Sequence, residues 1–546
     1  MRRARRFSAA ALVLIGALTL LAGVGMRTWW LPPATISASV PAPSGSAPVT
    51  VIDRGVGGLG QGKDVTVSVR AAGAFVLARG RATDVEAWVG PAAHTTVSAR
   101  GDGLAATTTA GETRVPSPDG ADLFISSQRA TGELTHTWTG ADGVDSSLVL
   151  TADGSAAAPT DITVSWANDR GTPGAVPLLV LGAAALLLGA ALLWFGRGGR
   201  RRGGRRGGSG EHVVLSTGLG TVLVSGMLVS GFLTAGSLPA RAAEGSTGTG
   251  FADAGIALQP PQVDRIMGSV ATVVGRADDA RSGAALQPRM SGAALAERTA
   301  NYRIRSRTPG YRAPAAIAAG PVLAQMITTG ADWPRTVVIV TKDDAGTVPQ
   351  ILTLVQASPR ENYRVVSAVG LLPGTTFPQA GSDQPGARPL DPAGGDGLTT
   401  SPRAALTSLA SVLTAGRTAY TATVAKNRFV DAIIAGQTAA ARTNPGARLT
   451  ARHTSDPAGT RVLQTSDGGA LVIGTLRNTV AVTPKEKGGR LTLRSELAAL
   501  AGVKESGTPV DIGYGESVVL YVPAAGSREA LQVIGAAQEL LSVTRR

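Results

Sequence analysis

The chain has 546 residues, enough for several domains of the usual ~100–200 residues each. Its net charge of +14 owes most to four arginines in residues 1–6 and six in residues 196–212, and no basic face is interleaved with aromatic residues, so we expect no nucleic-acid partner. Because the chain has no cysteine, disulfides, thiolate metal ligands, cysteine nucleophiles and a lipid-modified cysteine are excluded.

The first predicted element is an apolar segment, residues 7–26, which follows the basic N-terminus. About 20 apolar residues cross a ~30 Å hydrocarbon core as a helix. A cleaved signal peptide begins with the same pattern. No convincing small-x-small cleavage site follows, and Trp29 and Trp30 before Pro32 are typical of an interfacial anchor. We therefore predict a retained membrane helix, with a cleaved signal peptide as the alternative.

Residues 34–172 have the pattern of an all-β, sandwich-like domain. Apolar and polar residues alternate along residues 65–69 and 162–166, which is the period of half-buried strands. The other predicted strands, separated by Gly- and Asp-rich turns, are residues 49–52, 74–78, 85–89, 95–99, 123–126, 133–138 and 148–151. No helix is predicted in this interval.

Two glycine-rich nucleotide motifs match by letter in this domain. Residues 55–60 fit GxGxxG, and residues 57–63 fit most of a P-loop. Both motifs hold phosphate on a loop that opens a helix, whereas this loop is predicted to open the strand at residues 65–69. Asp64 also stands where a P-loop has the Ser or Thr that holds magnesium. We therefore predict a strand connection and no cofactor.

Two further apolar segments follow, residues 175–195 and residues 213–233. The first has no charged residue over its 21 positions. The second is weaker, because nine of its 21 residues are Gly, Ser or Thr. The positive-inside rule places both arginine clusters in the cytoplasm, which puts residues 34–172 and the C-terminal region outside. If residues 213–233 did not span, the C-terminal region would be cytoplasmic.

Residues 240–242 resemble a signal-peptidase site that would release the C-terminal half, and a plain juxtamembrane loop is the favoured interpretation. After a linker, Pro260 opens a predicted helix whose apolar residues recur at i, i+3, i+4 and i+7. A second helix is predicted at residues 293–302, followed by strands at 336–340, 351–356 and 363–369. These elements form a first α+β lobe.

The pattern then recurs. Ser401 is predicted to cap a helix that ends at Gly416, and a second helix is predicted at residues 428–442. Strands are predicted at residues 449–453, 462–465, 470–476 and 517–522, with a hairpin turn at residues 467–468. A last helix is predicted to start at Ser527 and to carry Leu531, Ile534 and Leu541 on one face. Together these elements form a second α+β lobe.

A helical pair followed by a curved antiparallel sheet resembles the NTF2-like (cystatin-like) fold. The whole layout, with 46 Arg against six Lys, also resembles uncharacterised actinobacterial multi-pass membrane proteins with a large exported C-terminal region. The second resemblance implies no established activity. The first implies that each lobe holds a small ligand or a partner segment between helix and sheet.

The residues were tested against three catalytic or metal-binding patterns. The four histidines, His94, His136, His212 and His453, have no metal-ligand spacing. The run from His453 to Asp456 contains the letters of a triad, but a triad converges from separated segments. Asp332 beside Trp333 is the most suggestive acidic–aromatic pair for a sugar, and a loop entering the next strand is the favoured interpretation. We therefore assign no catalytic, cofactor-binding or metal-binding residue.

The predicted organisation is a cytoplasmic N-terminus (1–6), three membrane helices (7–26, 175–195, 213–233), a β domain (34–172), a cytoplasmic loop (196–212), a linker (240–259), an α+β lobe (260–373), a Pro/Gly linker (374–400) and a second lobe (401–546). We expect a cell-membrane protein of the envelope that is not an enzyme, a scaffold or binding module whose partners are membrane lipid and envelope proteins or cell-wall polymer. The alternative is a cell-wall-active enzyme with a carboxylate site in the C-terminal region. Signal transduction is a weaker option, and the absence of charged residues within the three apolar segments disfavours transport.

Overall fold

The computed structural model describes residues 2–101, 103–139, 145–168, 171–195, 255–342, 348–380, 386–416 and 423–546. They belong to two compact units, one within residues 1–36 and 168–250 and one within residues 37–167 and 251–546. The predicted third membrane segment (213–233), the arginine-rich loop (196–212) and the cleavage-like site (240–242) lie outside the described residues.

The helices are α1 (Arg2–Arg27), α2 (Arg54–Gly57), α3 (Ala82–Val89), α4 (Ala175–Phe195), α5 (Pro260–Ala280), α6 (Gly283–Leu286), α7 (Gly292–Arg307), α8 (Pro402–Ala415), α9 (Arg428–Thr443) and α10 (Ser495–Ala501). The strands of the second unit's N-terminal part are β1 (Thr35–Ser39), β2 (Val49–Ile52), β3 (Val65–Arg81), β4 (His94–Arg100), β5 (Gly103–Thr109), β6 (Ser126–Trp138), β7 (Ser146–Thr151) and β8 (Asp161–Ala167). The C-terminal strands are β9 (Val322–Ile327), β10 (Arg335–Thr341), β11 (Gln350–Gln356), β12 (Arg364–Leu371), β13 (Ala447–Gln464), β14 (Ala470–Pro484), β15 (Leu491–Thr492), β16 (Glu505–Ser506), β17 (Val510–Val522) and β18 (Gln532–Arg545).

Helices α1 and α4 of the first unit are long and apolar enough to cross a membrane. Only 17% and 11% of their apolar windows are buried, unlike the core helix of a soluble domain. They pack antiparallel along a glycine-rich seam. A Cβ added to Gly16 would lie 2.7 Å from the Leu186 nitrogen, and one added to Gly182 would lie 2.6 Å from the Leu20 nitrogen. Such small residues let two membrane helices approach closely.

The N-terminal part of the second unit is built on a single sheet, with the order β1-β8-β3-β7-β2-β4-β5 and with β6 also paired to β3. The domain predicted to be sandwich-like is therefore built from one connected sheet. The physical reason is the 17-residue strand β3, which pairs with β8 along its first half and with β7 along its second half. Two predicted strands are wrong, since residues 85–89 lie in helix α3 and residues 123–125 form a turn before β6.

The glycine-rich loop opens strand β3, as predicted. The Asp53 side chain accepts a hydrogen bond from the Gly55 nitrogen at 2.7 Å and caps the four-residue helix α2. A short 3-10 turn then leads towards the strand. The loop therefore lacks the long helix on which a phosphate-binding motif depends.

The C-terminal part contains one eight-stranded antiparallel sheet with the order β13-β14-β17-β18-β12-β11-β10-β9. Its helices α5, α7, α8 and α9 match the predicted helices, and β10 to β14 and β17 overlap the predicted strands. The strands predicted at residues 449–453 and 462–465 belong to the single long strand β13. The predicted final helix is wrong, because its residues form strand β18. Since β18 pairs with both β17 and β12, the two predicted lobes share this sheet.

The helices of both halves cover one face of the shared sheet. Residues from α5 and α7 pack on β10 and β11, and residues from α8 and α9 pack on β14 and β17. The other face carries a continuous apolar cluster that spans both halves. Phe377 and Ala387 of the predicted Pro/Gly linker cover it.

Helix α7 ties the two halves together. Its buried residue Ile304 packs with Leu493, Val510 and Leu540 of the second half. The Arg307 Nη1 atom donates to the Ala499 carbonyl at 2.7 Å. The first half therefore depends on the second for part of its core.

The N-terminal sheet region also packs on the first half through buried ion pairs. Arg289 donates through both Nη atoms to the Asp122 carboxylate, which also accepts a hydrogen bond from the Tyr363 nitrogen at 2.8 Å. Arg335 Nη2 lies 2.6 Å from Asp84 Oδ1, and both side chains are 2% exposed. Each buried carboxylate in this contact therefore has an arginine partner.

Hydrogen bonds to backbone carbonyls and an apolar contact complete this docking interface, which we define by Asp84, Asp122, Arg289 and Arg335. Arg360 donates to the backbone carbonyls of Trp88 and Val89, each at 2.8 Å. Arg265 and Gln262 donate to backbone carbonyls of residues 122–125. The Trp333 side chain packs on the core cluster around Trp88 and Phe124. Residues 37–167 are thus part of one body with the C-terminal region.

Candidate ligand-binding cavity

A cavity of about 870 Å³ lies on the helical face of the shared sheet, between α7 and α9. The loop 312–316 and strands β11, β12 and β18 complete its walls. Its apolar lining includes Met290, Ala294, Val348, Ala368, Phe429, Ile433, Ala536 and Ala537. This volume is in the range of sites that hold small organic molecules.

The cavity lies where the two halves join. Strands β12 and β18 pair only at Gly370 with Ala536 and at Leu371 with Gly535. A Cβ added to Gly535 would lie 2.7 Å from the Ile351 side chain, so glycine permits this close approach. Beyond the two pairs, Ala368 of β12 and Ala537 of β18 line the space under the helices.

Glu297 of α7 is the buried acid of the cavity. Its side chain lies against β17, where Ser517 Oγ donates to Glu297 Oε1 at 2.7 Å. Burial raises the pKa of Glu297 to about 7; the nearby Glu539 charge also raises it, and the Ser517 hydrogen bond opposes the rise. Within the described part of the chain, Glu297 has no arginine or lysine partner.

A second acid, Glu539 of β18, lines the same cavity and does have a counter-charge. Arg312 Nη2 lies 3.0 Å from Glu539 Oε1, and the Arg312 side chain is 75% exposed. Burial raises the pKa of Glu539, and the charge of Arg312 opposes that rise. Glu539 is therefore the compensated acid of the two.

The other arginine of the lining, Arg298, is also fully paired. Its Nε and Nη2 atoms donate to the two carboxylate oxygens of Asp278 at 2.8 and 2.9 Å. Nη2 also donates to the Ala315 carbonyl at 2.6 Å, and Asn301 Nδ2 donates to the Arg312 carbonyl at 3.1 Å. These bonds hold the loop 312–316 against α7, so that Arg298 has a structural role in the cavity wall.

The residues of the triad-like run, His453 to Asp456, do not form a triad, because His453 and Ser455 contact different partners. His453 lies on strand β13 and not in a turn, and its Nε2 atom is 3.2 Å from Glu516 Oε1, with both side chains fully buried. Ser455 instead contacts Thr407, with 3.2 Å between the hydroxyl oxygens. Gln538 Nε2 donates to Glu516 Oε1 at 2.8 Å, which connects this buried pair to the cavity lining.

The remaining sequence candidates lie elsewhere. Trp333 is occupied, because the Arg335 guanidinium lies 3.9 Å from its ring centroid and its Nε1 donates to Gln356. His94 Nδ1 contacts the Ala92 carbonyl, at 2.8 Å, and His212 lies outside the described residues. Among the residues that the structure describes, no three His, Cys, Asp or Glu side chains form a group that could hold a metal.

The sequence pattern does not mark Glu297. Helix α7 is polar over most of its length, and its buried residues, among them Glu297, Arg298, Asn301 and Tyr302, occupy more than half of the helix circumference. Burying a carboxylate is costly, but a helix of this kind does not show in its sequence which of its charged residues is buried.

The comparisons with known proteins agree with the boundary of the C-terminal region. The family model described as "Domain of unknown function (DUF8094)" matches residues 257–545, which include both halves of the shared sheet and every residue of the cavity lining. Neither the comparison with curated proteins nor the comparison with solved structures found a match. Because the matched residues are more than half of the 546-residue chain, the chain belongs to the DUF8094 family.

Proposed function

We propose that this protein is a membrane-anchored binding module of the cell envelope, whose body outside the membrane holds an apolar ligand in the cavity between α7 and α9. The observation that carries the proposal is the cavity itself, which joins apolar walls with one buried, uncompensated acid. Sites for small molecules typically combine such walls with a few polar groups. The position between helices and sheet is also where NTF2-like cones, which the repeated pattern resembles, hold ligands.

The proposed topology has three membrane crossings. Antiparallel α1 and α4 return the chain to the side from which it started, so the segment between them lies on the opposite side. Residues 37–167 and 251–546 belong to one compact unit and therefore face the same side. This requires an odd number of further crossings between α4 and residue 251, and the apolar run at residues 213–233 is long enough for one.

The positive-inside rule gives this arrangement its direction. The arginines of residues 1–6 belong to the N-terminal end of α1, and those of residues 196–212 come after the C-terminal end of α4 in the chain. Because the two helices are antiparallel, these two ends lie on the same side. Placing both clusters in the cytoplasm puts the ligand cavity outside the cell. Membrane lipid is then the constant neighbour of the anchor, and envelope proteins or cell-wall polymer are the partners available to the body.

The cavity also supports a second candidate, a cell-wall-active enzyme. Glu297 and Glu539 line one cavity, and glycoside hydrolysis uses two carboxyl groups, of which the acid has a raised pKa. Turnover of wall polymer by the full chain that is lost in Glu297→Gln would favour the enzyme over the binding module.

The binding proposal is tested with N-phenyl-1-naphthylamine, an uncharged apolar fluorophore, and the full chain in lipid nanodiscs. Ala432 lines the cavity from α9, and Ala435 lies on the same helix outside the lining. We expect saturable binding by the wild type and by Ala435→Trp, and affinity at least about tenfold lower for Ala432→Trp, because the added ring fills the site. Equal titrations for all three proteins would mean that the dye partitions into lipid, and would refute the proposal.

A further inference from the structure

Resting on the proposed function, we propose that the ligand of this cavity carries an ammonium group that pairs with Glu297. Besides Glu297, the cavity lining contains three ionisable groups that could determine the charge of a ligand: Arg298, Arg312 and Glu539. Each of these three has a partner of opposite charge. Glu539 pairs with Arg312, whose side chain is largely exposed, and Arg298 pairs with Asp278, which is not part of the lining. The charge left over is the carboxylate of Glu297.

Three groups of the cavity and its neighbouring strand bear on the charge of Glu297. Ser517 of β17 donates one hydrogen bond, Glu539 of β18 adds negative potential, and Arg298 of α7 is held by Asp278. None of these compensates a full negative charge. A buried carboxylate without a counter-charge is strongly destabilised, and a cation in the adjacent cavity relieves that cost.

An organic cation fits better than a metal ion. Calcium takes six to eight oxygen ligands, and the described residues contain no group of three acidic or histidine side chains that could supply them. An ammonium group does not require such a shell of charged ligands: it donates hydrogen bonds to the carboxylate, while its carbon skeleton can contact the apolar residues of α7, α9 and β18. The inferred ligand is therefore an amine on an apolar body.

The pH dependence of binding follows from the same geometry. The pKa of Glu297 is raised to about 7, so that in the free protein this carboxyl group is largely protonated at pH 5.5 and ionised at pH 8. An alkylamine keeps its proton over this whole range. Its affinity should therefore be higher at pH 8 than at pH 5.5, whereas the affinity of an uncharged ligand should be unchanged.

The test uses three probes of matched shape, 4-phenylbutylamine, 4-phenylbutanol and 4-phenylbutyrate, which compete with the naphthylamine dye on the full chain in nanodiscs. At pH 8 we expect the amine to bind at least about tenfold more tightly than the alcohol, and the butyrate to bind most weakly. The preference for the amine should disappear in Glu297→Gln and at pH 5.5. Dye binding by Glu297→Gln shows that this variant is folded.

Alcohol and amine affinities that are equal at pH 8 would overturn the ammonium inference, as would a preference for amine that survives in Glu297→Gln. Dye binding that none of the three probes displaces would overturn it as well. In all of these results the dye still binds the cavity, so that the proposed binding function stands. Failure of the dye itself to distinguish Ala432→Trp from Ala435→Trp would instead refute the function.

Discussion

The docking interface and the candidate cavity both bury carboxylates, but only those of the docking interface have arginine partners among the described residues. Asp84 and Asp122 of the docking interface are 2% and 1% exposed, and arginines reach both of them. Glu297 of the cavity is 7% exposed, and among the residues that the structure describes its donor is the Ser517 hydroxyl alone. Both regions belong to the same compact unit, so the presence or absence of an arginine partner depends on the immediate surroundings of each carboxylate.

The difference separates a structural role from a functional one. A buried ion pair with additional hydrogen bonds fixes how two surfaces meet, and removing one partner is strongly destabilising. A buried acid without a counter-charge lowers stability, and such groups concentrate at functional sites. The paired carboxylates therefore fit a structural role for the docking interface, and the unpaired one fits the ligand site that we propose for the cavity.

The largest expected effect is in the docking interface. Asp122→Asn keeps the shape of the side chain but leaves the Arg289 guanidinium buried without a negative partner. We expect a loss of about 3–5 kcal/mol in the free energy of unfolding. Denaturant unfolding of the full chain, followed by tryptophan fluorescence, to which the buried Trp88 near this interface contributes, measures the change.

The matched control is Asp119→Asn. Asp119 pairs with Arg129 at 2.8 Å, but these side chains are 37% and 63% exposed. An exposed ion pair contributes less than ~1 kcal/mol. If Asp122→Asn and Asp119→Asn lowered the free energy of unfolding equally, burial of the ion pair in the docking interface would not be what makes it stabilising.

A smaller effect of opposite sign is expected in the cavity. The pKa of Glu297 is about 7 in the folded chain, above the ordinary value of 4.5, so the folded state binds this proton more tightly. Its contribution to stability is present below pH 4.5 and is lost as the pH rises to about 7. Glu297→Gln should therefore be more stable than the wild type at pH 8, by up to about 3 kcal/mol.

The measurement is a series of denaturant titrations of the ligand-free chain between pH 4.5 and pH 8. The gain in Glu297→Gln should grow through this window and then level off. Glu529→Gln, which changes an exposed acid, should follow the wild type at every pH. A Glu297→Gln variant that is less stable than the wild type at pH 8 would mean that an unseen partner compensates this carboxylate.

Much of the local structure could be predicted from the sequence. Helix α5 has the apolar face that its sequence spacing predicts, and the residues of that face are buried: Val263, Ile266, Met267, Val270, Val274 and Ala277. Ser401 caps α8 and Gly416 ends it, as the start and stop signals indicate. Both predictions depend only on neighbours in the chain, which is why they hold.

Where tertiary pairing decides, the sequence pattern was misleading. Leu531 and Ile534 are spaced as on a helix, yet their segment becomes β18 because it completes the sheet between β17 and β12. The segment with Val85, Trp88 and Val89 was assigned to a strand, although these residues have helical spacing and pack as α3 on the core. Short apolar runs are ambiguous in this way until their partners are known.

The cavity could not be predicted, because its residues come from distant segments. Glu297, Ser517 and Glu539 are brought together only when the two halves share one sheet. The two apolar helices were predictable from length and composition alone. What the sequence does not contain is the docking interface, which makes residues 37–167 and the C-terminal region one body.

The most direct test of the account is the side of the membrane on which each part of that body lies. The chain has no native cysteine, so single cysteines at Gln128, Ser209 and Glu529 can be labelled in intact cells with a maleimide that does not cross membranes. We expect labelling at positions 128 and 529 in intact cells, and labelling at position 209 only after permeabilisation. Labelling at position 128 with protection of position 529 would place the two parts on opposite sides and contradict the single exterior body.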